Sequence, residues 1–494
     1  MNTMIEPSFE ESRLIAETGR YSVIPLSTEM YADTVTPMEV LRKLKNVSGH
    51  CFILESVEDS KKWGRYTFLG FDPKMEITCS NGVTTVRSGA EVSSGRSGPD
   101  ERIRAILRRY RSVRFDRLPP FTGGLVGYFS YDYVRYSEPS LKLGSHDNEH
   151  FNDVDLMLFD KVIAFDHYRQ KIVLIVNIST DDIDNEYERG VLRLKELREL
   201  IVNGAPEKNA PLQIRSEFRA LFSKDEFCGI VKKAKEHIRD GDIQQVVLSN
   251  RFEADIEGSI LDTYRVLRTT NPSPYMFYFS GSEVEIAGAS PETLVKLQDG
   301  RLSTFPLAGT RPRGGTDEED LALEKELLSD RKELSEHNML VDLGCNDLGK
   351  ICKPGTVAVE KYLSVLRYSH VMHLGSTVCG EILDDKTGLD AISAVLPAGT
   401  LSGAPKIRAM ELIEETEGDS RGIYGGAIGY LDLTGNMDTC IAIRIAYKKN
   451  GKVFVRSGAG IVAGSDPESE YRECMNKSAA TMNALMTSAG GIDG

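Results

Sequence analysis

Apolar residues recur at alternate positions or in short unbroken runs through much of the chain, and every third or fourth residue in the stretches between, so strands and helices interleave along its length. HCFILES (50–56) and RYTFLGF (65–71) read as strands, ITCSNGVTTVR as a hairpin turning on Asn81-Gly82, and VDLMLFDKVIAFDH and KIVLIVNIS as further strands. Helical spacing marks residues 1–20, the segment from Thr36-Pro37 to Lys45, residues 100–112 and a charged stretch over about 183–203. Between them GGLVGYFSYDYV is glycine-spaced and β-like. Residues 203–220 carry Pro, Gly and Asn without periodicity, and the best boundary falls there. The second half opens with a helix capped by Ser223 and stopped at Gly241, then the strand IQQVVLSNRFE, a helix over 259–269 and strands near 275–280 and 283–287. IYGGAIGYLDL, DTCIAIRIAYK and KVFVRSGAGIV close the pattern as strands joined by turns at Thr434-Gly435-Asn436 and Lys449-Asn450-Gly451. Hairpin-linked strands interleaved with helices predict an α+β fold, with large, mostly antiparallel sheets and helices outside.

Composition narrows the function. At 494 residues, 40% hydrophobic and 27% charged, the chain is an ordinary soluble type, long enough for one very large domain or two. A net charge of −14 argues against nucleic acid and anionic membrane as partners, since both require clustered Lys and Arg. No apolar stretch approaches a membrane span and the N-terminus has no signal-like run, which predicts a cytoplasmic protein. The eight cysteines are scattered singly, so neither structural zinc nor a disulfide framework is expected.

Candidate chemistry centres on GAGIVAGSDPESEYRECMNKSAA (458–480). Gly458-Ala459-Gly460 reads as a backbone anion nest, and Asp466-Pro467 opens a helix on which Glu470, Glu473 and Lys477 share a face. Two carboxylates there should repel, and a hard cation such as Mg²⁺ would relieve them. Gly458, Gly460 and Ala463 also match a dinucleotide fingerprint, but the helix comes too late and no βαβ unit follows. Within KELSEHNMLVDL, Glu333 and Glu336 make a second pair at the edge of an apolar stripe. In CIAIRIAY, alternation puts Ile441, Ile443, Ile445 and Tyr447 on a core face and Arg444 among Cys440, Ala442 and Ala446 on the other, with room for a carboxylate-bearing ligand. His373 lies among apolar residues, and no nucleophile elbow or phosphate loop is present.

The runs ILES (53–56), NPSPYMFY (271–278), GASPE (288–292), PLAGTRPRG (306–314), KELSEHNMLVDL (332–343), YSHVMHL (368–374) and LPAGTLSGAPK (396–406), with the stretch above, resemble the chorismate-utilising, Mg²⁺-dependent enzymes of the anthranilate synthase component I type. The resemblance covers nearly the whole chain. It implies an N-terminal domain over 1–165 carrying part of a tryptophan site, a connecting strand, helix and linker over 166–222, and a chorismate-binding catalytic region over 223–494. It further implies Glu336 and Glu473 as metal ligands supported by Glu333 and Glu470. Chorismate would be held by Gly309, Thr310, Tyr424, Arg444, Gly458, Ala459, Gly460 and Lys477. Glu292 corresponds to the general acid at the C4 hydroxyl, His373 to the histidine tied to pyruvate loss, and Thr400 to the threonine of PAGT.

Two positions sort the relatives. Isochorismate and salicylate synthases carry a lysine base where this chain has Gln245, and aminodeoxychorismate synthase carries lysine where it has Ala308. The resemblance therefore implies an anthranilate synthase large subunit with ammonia as nucleophile. The ammonia would come from a glutaminase subunit in a hetero-oligomer, because the chain has no glutaminase cysteine elbow. Ser56, Pro274, Tyr275 and Met276 match the site of feedback inhibition by tryptophan, with Ile53 a mild departure from the family's leucine. The alternatives are an aminodeoxyisochorismate or aminodeoxychorismate synthase, or a non-catalytic tryptophan-binding protein.

Overall fold

The computed structural model describes residues 4–56, 64–208, 210–367 and 371–492. Residues 1–3 of the expected leading helix and Tyr368, Ser369 and His370 of YSHVMHL lie outside the described residues. The leading helix is Phe9–Glu17, started by a capping box in which Ser8 and Glu11 satisfy each other's backbone N–H.

Two large antiparallel sheets stack face to face. The first runs in the order Val23–Tyr31, Lys171–Ser179, Lys161–Asp166, Tyr66–Phe71, Cys51–Glu55, Tyr275–Ser280, Glu285–Ser290, Ile445–Lys449, Lys452–Ile461, Gln245–Glu257. The second runs Leu307–Pro312, Val371–Glu381, Arg301–Thr304, Thr293–Gln298, Met437–Ile441, Ala427–Asp432, Gly124–Phe129, Val154–Phe159, Met75–Ser80, Val83–Ser88, with Glu91–Gly95 at its edge. Asn81 and Gly82 turn the hairpin of Met75–Ser80 and Val83–Ser88 with φ of 48° and 76°, the left-handed pair that a two-residue turn requires.

An aromatic layer including Phe52, Phe68, Phe121, Phe159, Phe277, Phe279, Tyr430 and Phe454 fills the space between the sheets. Helices Pro37–Lys45, Ile183–Asn203, Leu261–Thr270 and Pro467–Ser488 cover the outer face of the first sheet. Pro99–Arg109, Arg331–Gly349 and Gly388–Val395 cover the second. Strands from both ends of the chain lie side by side: Cys51–Glu55 pairs with Tyr275–Ser280, and Gly124–Phe129 with Ala427–Asp432.

Two expected strands, and the chain just beyond a third expected near 283–287, change sheets partway. VDLMLFDKVIAFDH breaks at Asp160, with Val154–Phe159 in the second sheet and Lys161–Asp166 in the first. Residues 285–298 cross over at Pro291-Glu292. DTCIAIRIAYK is also two strands, split at 442–444, where Arg444 takes a left-handed φ of 53°. The expected two-faced strand therefore does not exist there. Cys440, Ala442 and Ala446 are buried, whereas Ile443, assigned to the core face, is only half-buried.

Candidate functional site

The crossovers at 291–292 and 442–444 lie side by side and build the site. They are stitched by backbone bonds from Ile441 N–H to Glu292 O (3.0 Å) and from Ala289 N–H to Arg444 O (3.2 Å), while the Ser290 hydroxyl donates to Ile441 O at 2.7 Å. Two side chains that would otherwise alternate within a ladder, Glu292 and Arg444, are thereby released from it. The hydroxyl of Thr400, on the 3-10 turn Gly399–Leu401, donates to Glu292 Oε1 at 3.1 Å. Burial pushes the Glu292 carboxyl up to about 8, against the opposing pull of Thr400 and the charges of Lys477 and Arg444.

His373, on the strand Val371–Glu381, also feels the charge of Arg444. The neighbouring strand Leu307–Pro312 bulges at Gly309, whose φ of 69° an L side chain would resist. The bulge brings Gly309 O and the Thr310 hydroxyl each to 3.0 Å from His373 Nδ1. A carbonyl can only accept, so the neutral ring carries its hydrogen on Nδ1 and its lone pair on Nε2. Burial, with the charge of Arg444, lowers the histidine below its ordinary pKa despite the Gly309 bond.

The two glutamate pairs lie on helices with side-chain N-caps, Asp330 for Arg331–Gly349 and Asp466 for Pro467–Ser488. Burial and the neighbouring Glu333 raise the Glu336 carboxyl. Burial raises that of Glu470 too, with Glu473 adding to it and Ser465 opposing. Lys332 and Lys477 pull both carboxyls back down, so the two helices present their glutamates to a common pair of cations. Glu473 pairs with Lys477 at 2.7 Å, and Glu333 lies 3.7 Å from Arg311. Among the described residues no three His, Cys, Asp or Glu side chains converge into a ready-made metal cage.

Gly458, Ala459 and Gly460 form extended backbone in Lys452–Ile461, opposite Ser249, Leu248 and Val247, so they are not the turn-like nest expected from their spacing. Their absent side chains still matter. A Cβ on Gly458 would stand 2.6 Å from Leu248 O and 3.2 Å from the Tyr424 hydroxyl, and one on Gly460 would stand 2.6 Å from Gln245 Nε2. The pairing with Ile445–Lys449 ends at Val455, which leaves that edge of the glycine segment without a neighbouring strand among the described residues. Lys477 Nζ donates to Gly458 O at 3.2 Å. Gln245 approaches Glu336 Oε1 through its Nε2 at 3.5 Å, and its buried Oε1 has no hydrogen-bond partner among the described residues.

Ser56, Pro274, Tyr275 and Met276 line one cavity of about 110 Å³, walled by Tyr66, Phe68 and Tyr430 and bearing Glu55, Lys296 and Asp438. The Tyr275 hydroxyl bonds to Thr293 Oγ1 (2.8 Å) and Asp438 Oδ1 (2.9 Å), joining this cavity to the residue after Glu292. Sequence reasoning missed Lys332, the charged cavity residues and a buried ion pair beneath the site, Glu417–Arg421. The i, i+4 spacing of that pair was a readable signal, but it is common on exposed helices and gives no hint of burial.

The chain matches the family model for chorismate binding enzymes over residues 49–483. It is 45% identical to an anthranilate synthase component 1 from Acetivibrio thermocellus, covering 98% of this chain and 99% of the relative. A crystal structure of anthranilate synthase component I from Streptococcus pneumoniae superposes with a TM-score of 0.73 at 37% identity, covering 86% of this chain and 93% of that one. The menaquinone-specific isochorismate synthase from Escherichia coli shares the fold, with a TM-score of 0.71 at 19% identity over 97% of this chain and 98% of that one.

Proposed function

The chain belongs to the chorismate-binding enzymes, beside the proteins called anthranilate synthase component 1, and on that premise we propose that it makes anthranilate and pyruvate from chorismate and ammonia. The observation that carries this reading is the opposed preparation of two proton-handling groups around Arg444. Glu292 keeps its proton up to about pH 8, while His373 stays neutral with its lone pair on Nε2.

In the first step the ammonia nitrogen bonds to C2, both ring double bonds shift (C1=C2 to C1=C6 and C5=C6 to C4=C5) and the C4–O bond breaks. Glu292 supplies the proton with which that oxygen leaves as water. In the second step the C2 proton is lost, the C3–O bond breaks and the enolpyruvyl group departs as pyruvate. The lone pair on His373 suits it to take up a proton here. Arg444, Tyr424, Lys477, Gly309, Thr310 and the Gly458, Ala459 and Gly460 backbone would hold the substrate's carboxylates and ring. Gln245 supports ammonia over water, since a carboxamide cannot take a proton from water.

Glu336 and Glu473, backed by Glu333 and Glu470, would hold Mg²⁺. Burial, with a neighbouring glutamate adding to it, raises the Glu336 and Glu470 carboxyls, and a hard cation relieves such a cluster. The ion would supply positive charge to a substrate carboxylate. A glutaminase subunit would provide the ammonia. The aromatic cavity with its Lys296, Asp438 and Glu55 suits a zwitterionic amino acid with a flat ring, which supports feedback inhibition by tryptophan. A cytoplasmic location fits a described chain in which no helix is long and apolar enough to cross a membrane.

Purified chain given chorismate, Mg²⁺ and ammonium at alkaline pH is expected to develop anthranilate fluorescence. A product whose mass retains the enolpyruvyl group would instead mark an enzyme that stops after amination. Tryptophan binding without turnover would mark a sensor.

A further inference from the structure

Three segments meet beneath the site on one buried guanidinium. Arg421 is 2% exposed and pairs twice with Glu417, Nε to Oε2 at 2.9 Å and Nη2 to Oε1 at 2.6 Å. Two further donors go to backbone. Nη1 bonds to Leu401 O at 2.5 Å, one residue after Thr400, and Nη2 bonds to Val247 O at 2.7 Å, opposite Gly460. The paired Glu417 Oε1 accepts from Ser249 N–H at 2.7 Å and from its hydroxyl at 3.0 Å, opposite Gly458. Arg456 holds the other side, with Nη2 to Glu417 Oε2 at 2.7 Å. The guanidinium also lies over Tyr131 at 4.7 Å and 5.9 Å from the Tyr424 ring.

A planar fork can satisfy two carbonyls and a carboxylate at fixed angles, whereas a lysine ammonium cannot reproduce that geometry. We propose that Arg421 is a positioning residue for the acid: through Leu401 O it fixes the turn Gly399–Leu401 so that the Thr400 hydroxyl stays on Glu292. Glu292 itself touches Thr400 and faces Lys477 and Arg444, and of these three only the Thr400 contact depends on that turn.

This rests on the reaction proposed above, and the same assay separates the two. Anthranilate formation by wild type, Thr400→Val and Arg421→Lys is followed from pH 6.5 to 9.5 at constant free ammonia, with Mg²⁺ and saturating chorismate. Thr400→Val removes a bond that favours the carboxylate, so the alkaline limb of kcat moves to higher pH. Arg421→Lys is expected to move that limb the same way, to lower kcat by roughly 10-fold or more with a smaller change in KM, and to add no further shift when combined with Thr400→Val. Should Arg421→Lys not fold, Glu417→Gln, which loosens the same fork, is read in its place. A limb that stays at the wild-type position in the arginine or glutamate variant while Thr400→Val moves it would overturn the inference. No anthranilate from wild type would instead overturn the reaction.

Discussion

Glu292 is set by three neighbours acting on a carboxyl that burial alone would keep protonated: the Thr400 hydroxyl, Lys477 and Arg444. Its chemistry follows from that balance. An acid that holds its proton to about 8 can donate at neutral pH, so kcat, at constant free ammonia, is expected to fall as pH rises through about 8. Glu292→Gln keeps the shape but has no acidic proton, and steady-state kinetics should show kcat reduced by ~100- to 10,000-fold, the usual worth of general acid catalysis. A variant within a few-fold of wild type would remove Glu292 from the reaction. Glu473 belongs to the same scale. Glu473→Gln deletes one anionic donor next to Lys477, and is expected to abolish Mg²⁺-dependent turnover while calorimetry still detects tryptophan. Turnover that keeps its Mg²⁺ dependence would take Glu473 out of the metal site.

At the scale of elements, the site is made where strands leave one sheet for the other. The hairpin turns, capped helices and most strands were legible because they depend on local chemistry: Asn81-Gly82, the Ser223 cap, and the short apolar run of Cys51–Glu55. The paired glutamates were legible from helical spacing. The crossovers were not, because buried strands on both sides of a break read as one apolar run, and nothing in CIAIRIAY marks Arg444 as left-handed. The glycines at 458 and 460 sit within a ladder, where their missing side chains permit close approach, a setting that looks the same in sequence as a turn. The strand Tyr275–Ser280 shows what such an arrangement permits. Tyr275 lines the aromatic cavity, and its hydroxyl reaches Thr293, just beyond the Glu292 crossover. The Tyr275 hydroxyl thus ties the cavity wall to the strand that begins just after Glu292. Tyr275→Phe is expected to raise the tryptophan concentration for half-inhibition by about 5-fold, equivalent to one net hydrogen bond of about 1 kcal/mol. An unchanged half-inhibition would mean that the contact carries no coupling.

The whole molecule is a helix–sheet–sheet–helix stack, and its stability depends on the layer between the sheets. That layer is apolar and rich in aromatic rings, but Asp155 is buried in it, opposite Tyr128, with Glu76 and Glu283 nearby and Lys449 as the compensating cation. Burial, with Glu76 adding to it, pushes the Asp155 carboxyl up to about 8, against about 4 for an unfolded aspartate. The folded chain therefore keeps a proton that the unfolded chain releases. The stability from this group is complete below pH 4 and is lost progressively as pH rises through 8. Asp155→Asn preserves the shape and abolishes the titration. In urea unfolding at pH 5 and pH 9, the wild-type midpoint is expected to drop between the two conditions, and the variant's drop should be smaller, with the gap opening at the alkaline end. Equal drops in the two proteins would show that the charge between the sheets is already neutralised, and Lys449, which bonds Glu283 at 2.9 Å, would then be the partner to replace next.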